Sequence, residues 1–380
     1  MAAVSRSLLG ILLAGVLLAS AGSATSAACN DWRDWQNYRS RFISGDGRVI
    51  DHGSESDITT SEGQAYSLFF SLIANDRNAF DLLLKWTTNN LSKGNFASTL
   101  PAWKWGKRND GSWGVMDANS SADADLWMAY SLAEAGRLWK NPSYSELASQ
   151  LASRIFSEET VSLDRLGRTL LPAPHGFKMP KSVFRLNPSY YPIQVLRRMA
   201  SLYPDSQWDQ VVITSINTLI KSSERGFTPD WVLYDNKSGF MPDAEKKAVG
   251  SYDAIRVYLW AGMLAETEPA RAVLIKKLDP MIQYIVQHGV PPLEVNTTDA
   301  SASGFGPVGF SSAMLPLLAI YNQKTVLEQQ RLRVVNAQPT ERWDNYYDQV
   351  LTLFGIGWLE KRYRFDRDGK LMPMWNCSSS

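Results

Sequence analysis

Ser120-Ser121-Ala122-Asp123-Ala124-Asp125-Leu126 is a small, polar entry into an apolar run, and the stretch it opens decides the architecture. Apolar residues return every three or four positions from about 122 to 140, the short turn Asn141-Pro142 intervenes, and the same periodicity resumes near 143–157. Two helices joined by so short a turn lie antiparallel, side by side. Working outward, the same unit recurs. Helical periodicity marks segments near 30–43, 61–75, 77–91, 188–201, 206–223, 252–264, 269–287, 308–321, 323–336 and 342–363, with Asn75-Asp76 and Pro204-Asp205 as further short turns. The segments starting near 61, 122, 188, 252, 308 and 342 follow long irregular stretches instead. A series of about six helical hairpins with a period near 60 residues results. The reading is all-α, a closed (α/α)6 barrel of inner and outer helices with the long loops on one rim; an open solenoid is the alternative, with shorter and more uniform repeats. Alternating strands are scarce, the best being Trp231-Val232-Leu233-Tyr234 and a terminal hairpin around Asp368-Gly369. No Ser/Gly-rich linker divides the chain, so residues 29–380 read as a single domain.

The 380 residues carry a net charge of +1, which advertises neither nucleic acid nor an anionic membrane as a partner. A neutral polymer or small molecule is the more natural ligand. With 14 tryptophans and 15 tyrosines the chain is rich in flat side chains that fill cores or serve as stacking platforms, and sugar rings present apolar faces suited to the latter.

Residues 1–28 read as a secretory signal peptide: Arg6, an apolar segment from Leu8 to Leu18, and small residues from Ser23 to Ala28. The apolar part is short for a membrane span. The mature protein is therefore expected outside the cytoplasm, periplasmic or secreted, with no membrane attachment after cleavage. Its two cysteines, Cys29 and Cys377, are expected to pair and tie the termini together.

The chemistry follows from what is missing as much as from what is present. Three histidines, His52, His175 and His288, are scattered without metal-ligand spacing, so neither metal nor cofactor is expected. No nucleophile elbow, Walker motif or dinucleotide glycine pattern occurs. What recurs is an acidic residue at the mouth of an apolar helix: Glu62 in Thr59-Thr60-Ser61-Glu62-Gly63-Gln64-Ala65-Tyr66, Asp123 in the opening stretch, and Asp253 in Ser251-Tyr252-Asp253-Ala254-Ile255-Arg256. Carboxylates there also cap helices, the bland reading of Glu62. Asp253 equally could do no more than pair with Arg256, three positions on. In an exported protein, however, carboxylates with tyrosines and tryptophans point to glycoside hydrolysis, which needs one protonated and one ionised carboxyl group. Asp123 and Asp125 lie two apart on a helix, so at most one of them faces a cleft.

Nearly the whole mature chain resembles glycoside hydrolase family 8. Ala122-Asp123-Ala124-Asp125-Leu126-Trp127-Met128-Ala129-Tyr130-Ser131-Leu132 looks like the family signature, with Ser120 departing from the usual alanine; Thr60–Gln64, Ser251–Arg256, Leu100-Pro101-Ala102-Trp103 and Asn187-Pro188-Ser189-Tyr190 add to the likeness. The resemblance implies an (α/α)6 barrel and an inverting endo-β-1,4-glucanase, acting on β-1,4-glucan and trimming nascent cellulose near a cellulose synthase complex. Carried over, it makes Glu62 the general acid, Asp253 the general base and Asp123 the group that holds the sugar at the cleavage point. Glu62 must then stay protonated near neutral pH, through burial or the repulsion of a neighbour such as Asp123. Chitosan, lichenan and xylan remain alternative substrates, and a glucan-binding barrel without catalysis is the alternative of another class.

Among aromatic residues, Trp103 in its Gly- and Asn-rich loop is the leading stacking platform, ahead of Trp105 and Trp113. Trp127, Trp139, Trp260 and Trp358 lie within helices and are expected in the core. Tyr190 is expected to contact the sugar nearest the cleavage point or to orient the water, Tyr347 is a further candidate, and Arg256 is grouped with them as the residue that positions Asp253.

Overall fold

The computed structural model describes residues 32–54, 57–337 and 346–375. The expected leader and both cysteines, Cys29 and Cys377, lie outside them.

Twelve α-helices occur among the described residues: α1 (Arg33–Phe42), α2 (Ser61–Ile73), α3 (Arg77–Leu91), α4 (Ala122–Leu138), α5 (Pro142–Glu158), α6 (Ile193–Leu202), α7 (Trp208–Ser222), α8 (Ile255–Gly262), α9 (Arg271–His288), α10 (Val308–Ile320), α11 (Lys324–Val335) and α12 (Tyr346–Leu359). They sort into two layers by sequence. In α2, α4, α8, α10 and α12 nearly every residue is buried, apolar and small residues covering most of each surface with a few buried polar ones among them, whereas α3, α5 and α7 bury one stripe and show a polar face to water. The inner helices pack in chain order, α2 on α4, α4 on α6, α6 on α8, α8 on α10 and α10 on α12. Phe354 of α12 then meets Phe70 of α2 at 4.6 Å between ring centroids, which closes an (α/α)6 barrel. The last hairpin is assembled from the two ends of the chain, since the outer partner of α12 is α1. Close helix approach depends on glycine twice: a Cβ on Gly262 would meet the Leu317 nitrogen at 2.4 Å, and one on Gly355 the Ser312 oxygen at 1.9 Å.

The barrel axis is filled by aromatic rings. Trp127 lies 5.2 Å from Trp260 and 5.4 Å from Phe354, while Phe69 stacks on Phe354 at 5.5 Å. Trp127 and Trp260 are buried as expected; Trp139 and Trp358 are only partly so, lying toward the outside against Trp375 and Arg364 respectively. At the C-terminal ends of the inner helices, the hairpin of the last two strands (Tyr363–Phe365 and Leu371–Pro373) closes the barrel floor. Tyr130 donates to the Gly369 carbonyl at 2.8 Å, and the Leu371 amide donates to the buried Glu134 at 3.0 Å.

The opposite end, where the inner helices begin, carries the long loops, and short strands organise them. Thr59–Thr60 pairs with Lys104–Lys107, which pairs with Trp113–Asp117. A four-stranded sheet joins Lys178–Met179, Val183–Leu186, Val232–Asp235 and Gly239–Pro242. Most of these strands are too short for alternation to show in sequence. Two helix starts also differ from expectation. The segment from Pro188 forms a single 3-10 turn and α6 begins only at Ile193, because prolines at 188 and 192 disfavour a helical residue before each. Likewise α8 begins at Ile255, so Asp253 sits in the turn before the helix.

Candidate active site

The three carboxylates singled out in the sequence come together on the rim around one guanidinium. Thr60, not Glu62, caps α2: its hydroxyl accepts the Gly63 amide at 3.1 Å. Glu62 is thereby released from the capping role and turns inward to an ion pair with the Nη1 group of Arg256. The same Nη1 donates to Asp123 at 3.0 Å and to the Tyr66 hydroxyl at 3.1 Å, and Nη2 donates to Asp253 at 2.8 Å and to Ser189 Oγ at 3.0 Å. Arg256 and Asp123 are each only 3% exposed at the side chain, whereas Glu62 (21%) and Asp253 (32%) reach the cleft. Arg256, grouped with the substrate-binding candidates as the residue that positions Asp253, lies beneath the carboxylates and donates to Asp253. The pairing of Asp253 with Arg256 read from the sequence is present, but it is one of three.

Local structure fixes each partner. Asp123 accepts the Ser121 hydroxyl at 2.7 Å and the Ala124 amide at 2.8 Å, which ties its carboxylate to the first turn of α4. Ser189 is held by Asn187, and its carbonyl accepts the Trp260 indole at 2.9 Å, so the aromatic plug supports the site from below. A Cβ on Gly63 would stand 2.9 Å from the Tyr346 hydroxyl; the glycine is small to let Tyr346 of α12 approach α2.

The electrostatics separate the carboxylates. Burial raises the Glu62 carboxyl to about 7, with Arg256 opposing and Asp123 and Asp253 adding to the rise. The Asp253 carboxyl is also raised by burial, against the pull of Arg256 and with repulsion from Asp123. Glu62 and Asp253 bind different amino groups of one guanidinium, so their near oxygens are separated by at most two hydrogen bonds and the span of that group, roughly 8 Å.

Around this centre, Tyr190 is partly buried, its hydroxyl 3.2 Å from Ser121 and its ring 5.7 Å from the Arg256 guanidinium carbon. Tyr347 donates to the Tyr252 carbonyl beside Asp253. Trp103 adjoins Glu62 through the backbone, its carbonyl accepting the Ser61 amide at 3.0 Å, and its ring is partly exposed. Trp105 and Trp113 stack on each other at 5.4 Å with the Arg48 guanidinium within 4.9 Å of both rings. Asp125 points away from the cleft, wholly buried against Glu159, as its spacing from Asp123 requires. Sequence reasoning missed Tyr66, Ser189 and Asp230. Tyr66 lies one helical turn below Glu62, a spacing that could have flagged it; nothing local marks Asp230.

Residues 10–361 match the model of glycosyl hydrolases family 8, a match that begins inside the segment read as a leader. The chain is 46% identical over 356 residues to an endoglucanase of Salmonella typhi, covering 93% of this chain and 94% of that protein. It is 43% identical over 376 residues to an endoglucanase of Escherichia coli strain K12, covering 98% and 100%. Among solved structures, the endo-1,4-D-glucanase from Vibrio fischeri ES114 superposes with a TM-score of 0.83 at 44% identity, covering 91% of this chain and 99% of that one.

Proposed function

The chain belongs to glycosyl hydrolases family 8, and from that premise we propose that it is an inverting endo-β-1,4-glucanase acting on cellulose-type chains laid across the barrel rim. The observation that carries the reading is the convergence of Glu62, Asp123 and Asp253 on Arg256, with the acid and the base held on different amino groups. Glu62, raised to about 7, gives its proton to the glycosidic oxygen as the bond to C1 breaks. Asp253 takes a proton from the water whose oxygen forms the new bond to C1 from the opposite face. Inversion needs about 6.5–9.5 Å between the two carboxyl groups to leave room for that water. Asp123 binds the sugar at the cleavage point, Tyr190 flanks it, and Trp103 and Tyr347 contact neighbouring rings.

Residues 1–28 direct export in this reading, and the mature domain from residue 29 works in the periplasm or outside the cell. No described helix is long and apolar enough to cross a membrane. The names of the similar proteins support a glucan substrate; trimming of nascent cellulose beside the synthase complex is the biological role proposed.

Reducing-sugar release from carboxymethyl cellulose by wild type, Glu62→Gln and Asp253→Asn tests the assignment. Both variants are expected to be inactive, and near wild-type turnover in either would overturn it. The anomer first released from a cello-oligosaccharide tests the stereochemistry: α supports inversion and β excludes it.

A further inference from the structure

The turn that carries Asp253 is not part of α8, and its position needs a separate cause. Asp230, in the segment Thr228–Trp231, supplies one. Its Oδ1 accepts the Ser251 amide at 2.8 Å and the Ala254 amide at 2.7 Å, the two backbone groups that bracket Tyr252-Asp253. The Asp230 amide in turn donates to the Val249 carbonyl at 2.8 Å, so the two segments are joined in both directions. Their approach is close enough that a Cβ on Gly250 would meet the Thr228 oxygen at 2.0 Å.

We propose that Asp230 is a positioning residue for the base: its carboxyl group clamps the turn that presents Asp253. The inference rests on the assignment of Asp253 as the base. Asp253 is also faced by Glu62 from α2, Asp123 from α4, Asn187 and Tyr190 from the segment before α6, Arg256 from its own helix and Tyr347 from α12. Asp230 is faced by Asp253, Arg256, Tyr258 and Tyr347. Burial, followed by repulsion from Asp253, raises the Asp230 carboxyl to about 6, while the Ser251 and Ala254 amides and Arg256 oppose the rise. Oδ1 accepts the two amides whether or not the carboxyl group carries a proton, so the clamp persists on both sides of that pH.

The clamp and the charge are separable. Asp230→Asn keeps an acceptor oxygen for the two amides and removes the charge; Asp230→Ala removes both. Values of kcat and KM on carboxymethyl cellulose, measured beside thermal melting of each variant, separate a positioning role from a purely structural one. For Asp230→Asn, which keeps the clamp, kcat is expected within a few-fold of wild type at its optimum, a rescue that Asp230→Ala does not show. Asp230→Ala is expected to lose about 30-fold or more in kcat with KM changed little, because a displaced base affects the transition state more than the bound substrate. A folded Asp230→Asn with kcat as low as that expected of Asp230→Ala overturns the clamp, and that variant decides the matter even where Asp230→Ala fails to fold. Wild-type kcat in a folded Asp230→Ala overturns the clamp. Activity in Asp253→Asn would remove the underlying assignment; an inactive Asp253→Asn beside wild-type-like Asp230 variants removes this inference alone.

Discussion

Glu62 on α2 and Arg256 on α8 are 194 residues apart in the chain and meet in a partly buried ion pair beneath the cleft. The pair welds opposite sides of the inner ring, and the same guanidinium serves Asp123 and Asp253. One cation against three carboxylates leaves the cluster short of positive charge. At least one carboxyl is thereby favoured to hold a proton, and Glu62 is the one raised to about 7.

Replacing Arg256 should damage folding and chemistry together. Arg256→Met is expected to cost about 3–5 kcal/mol, the loss typical when one partner of a buried ion pair is removed and the others stay behind. Urea denaturation at pH 7 checks the stability. Arg256→Lys keeps a charge but loses the fork that reaches Glu62 and Asp253 at once, and a kcat lower by a factor of about 100 is expected from steady-state assays.

The protonation of Glu62 sets an alkaline limit on catalysis. Because the acid must carry its proton, kcat/KM is expected to fall above about 7 by about tenfold for each pH unit. Initial rates on a cello-oligosaccharide between pH 5 and pH 9 measure the limb, and a plateau continuing to pH 9 would remove Glu62 from the acid role.

Glu159, wholly buried beside Asp125 and Ser120, should reveal itself in stability. Burial raises its carboxyl to about 8 in the folded protein, against an ordinary 4.5. The folded state thus binds the proton more tightly than the unfolded chain does. The contribution of the group is fully present below its ordinary pKa and is lost as pH rises toward 8. Glu159→Gln keeps a hydrogen-bonding side chain that does not ionise, so its melting temperature relative to wild type should rise steadily between pH 5 and pH 8. Scanning calorimetry at several pH values reads this difference, and a constant offset would contradict it.

Gly63→Ala should be expensive for its size. The added methyl would lie 2.9 Å from the Tyr346 hydroxyl and 3.3 Å from the Val49 side chain, in a packed interior. A loss of about 1–3 kcal/mol is expected, with a fall in kcat because Glu62 is the adjacent residue. Tyr346→Phe in the same chain removes the nearest clashing atom and should restore part of both, as chemical denaturation and steady-state rates will show.

The aromatic plug is the support for the whole rim. Phe354 contacts Tyr66, Phe69, Phe70, Trp127 and Trp260, rings from three other inner helices. Phe354→Ala is expected to cost about 3–5 kcal/mol through the cavity it leaves, measured as a lowered denaturation midpoint.

The sequence by itself determined the helices and the places where function collects. Helical periodicity is a relation among residues three and four apart, so each element was legible locally; the segment 77–91 appears with both ends as read. The pairing of helices by short turns then implied the ring, and acidic residues at three helix starts implied a site on its rim. What only the tertiary structure decided was which group each side chain meets. Thr60 took the capping role and released Glu62. Arg256 became the hub under three carboxylates, and Asp230 accepts two amides of the Asp253 turn. These partners are separated by between 3 and 194 residues along the chain. A pattern of near neighbours carries no information about the longer separations, because those contacts exist only once the inner helices have closed into a ring and brought their N-terminal ends together.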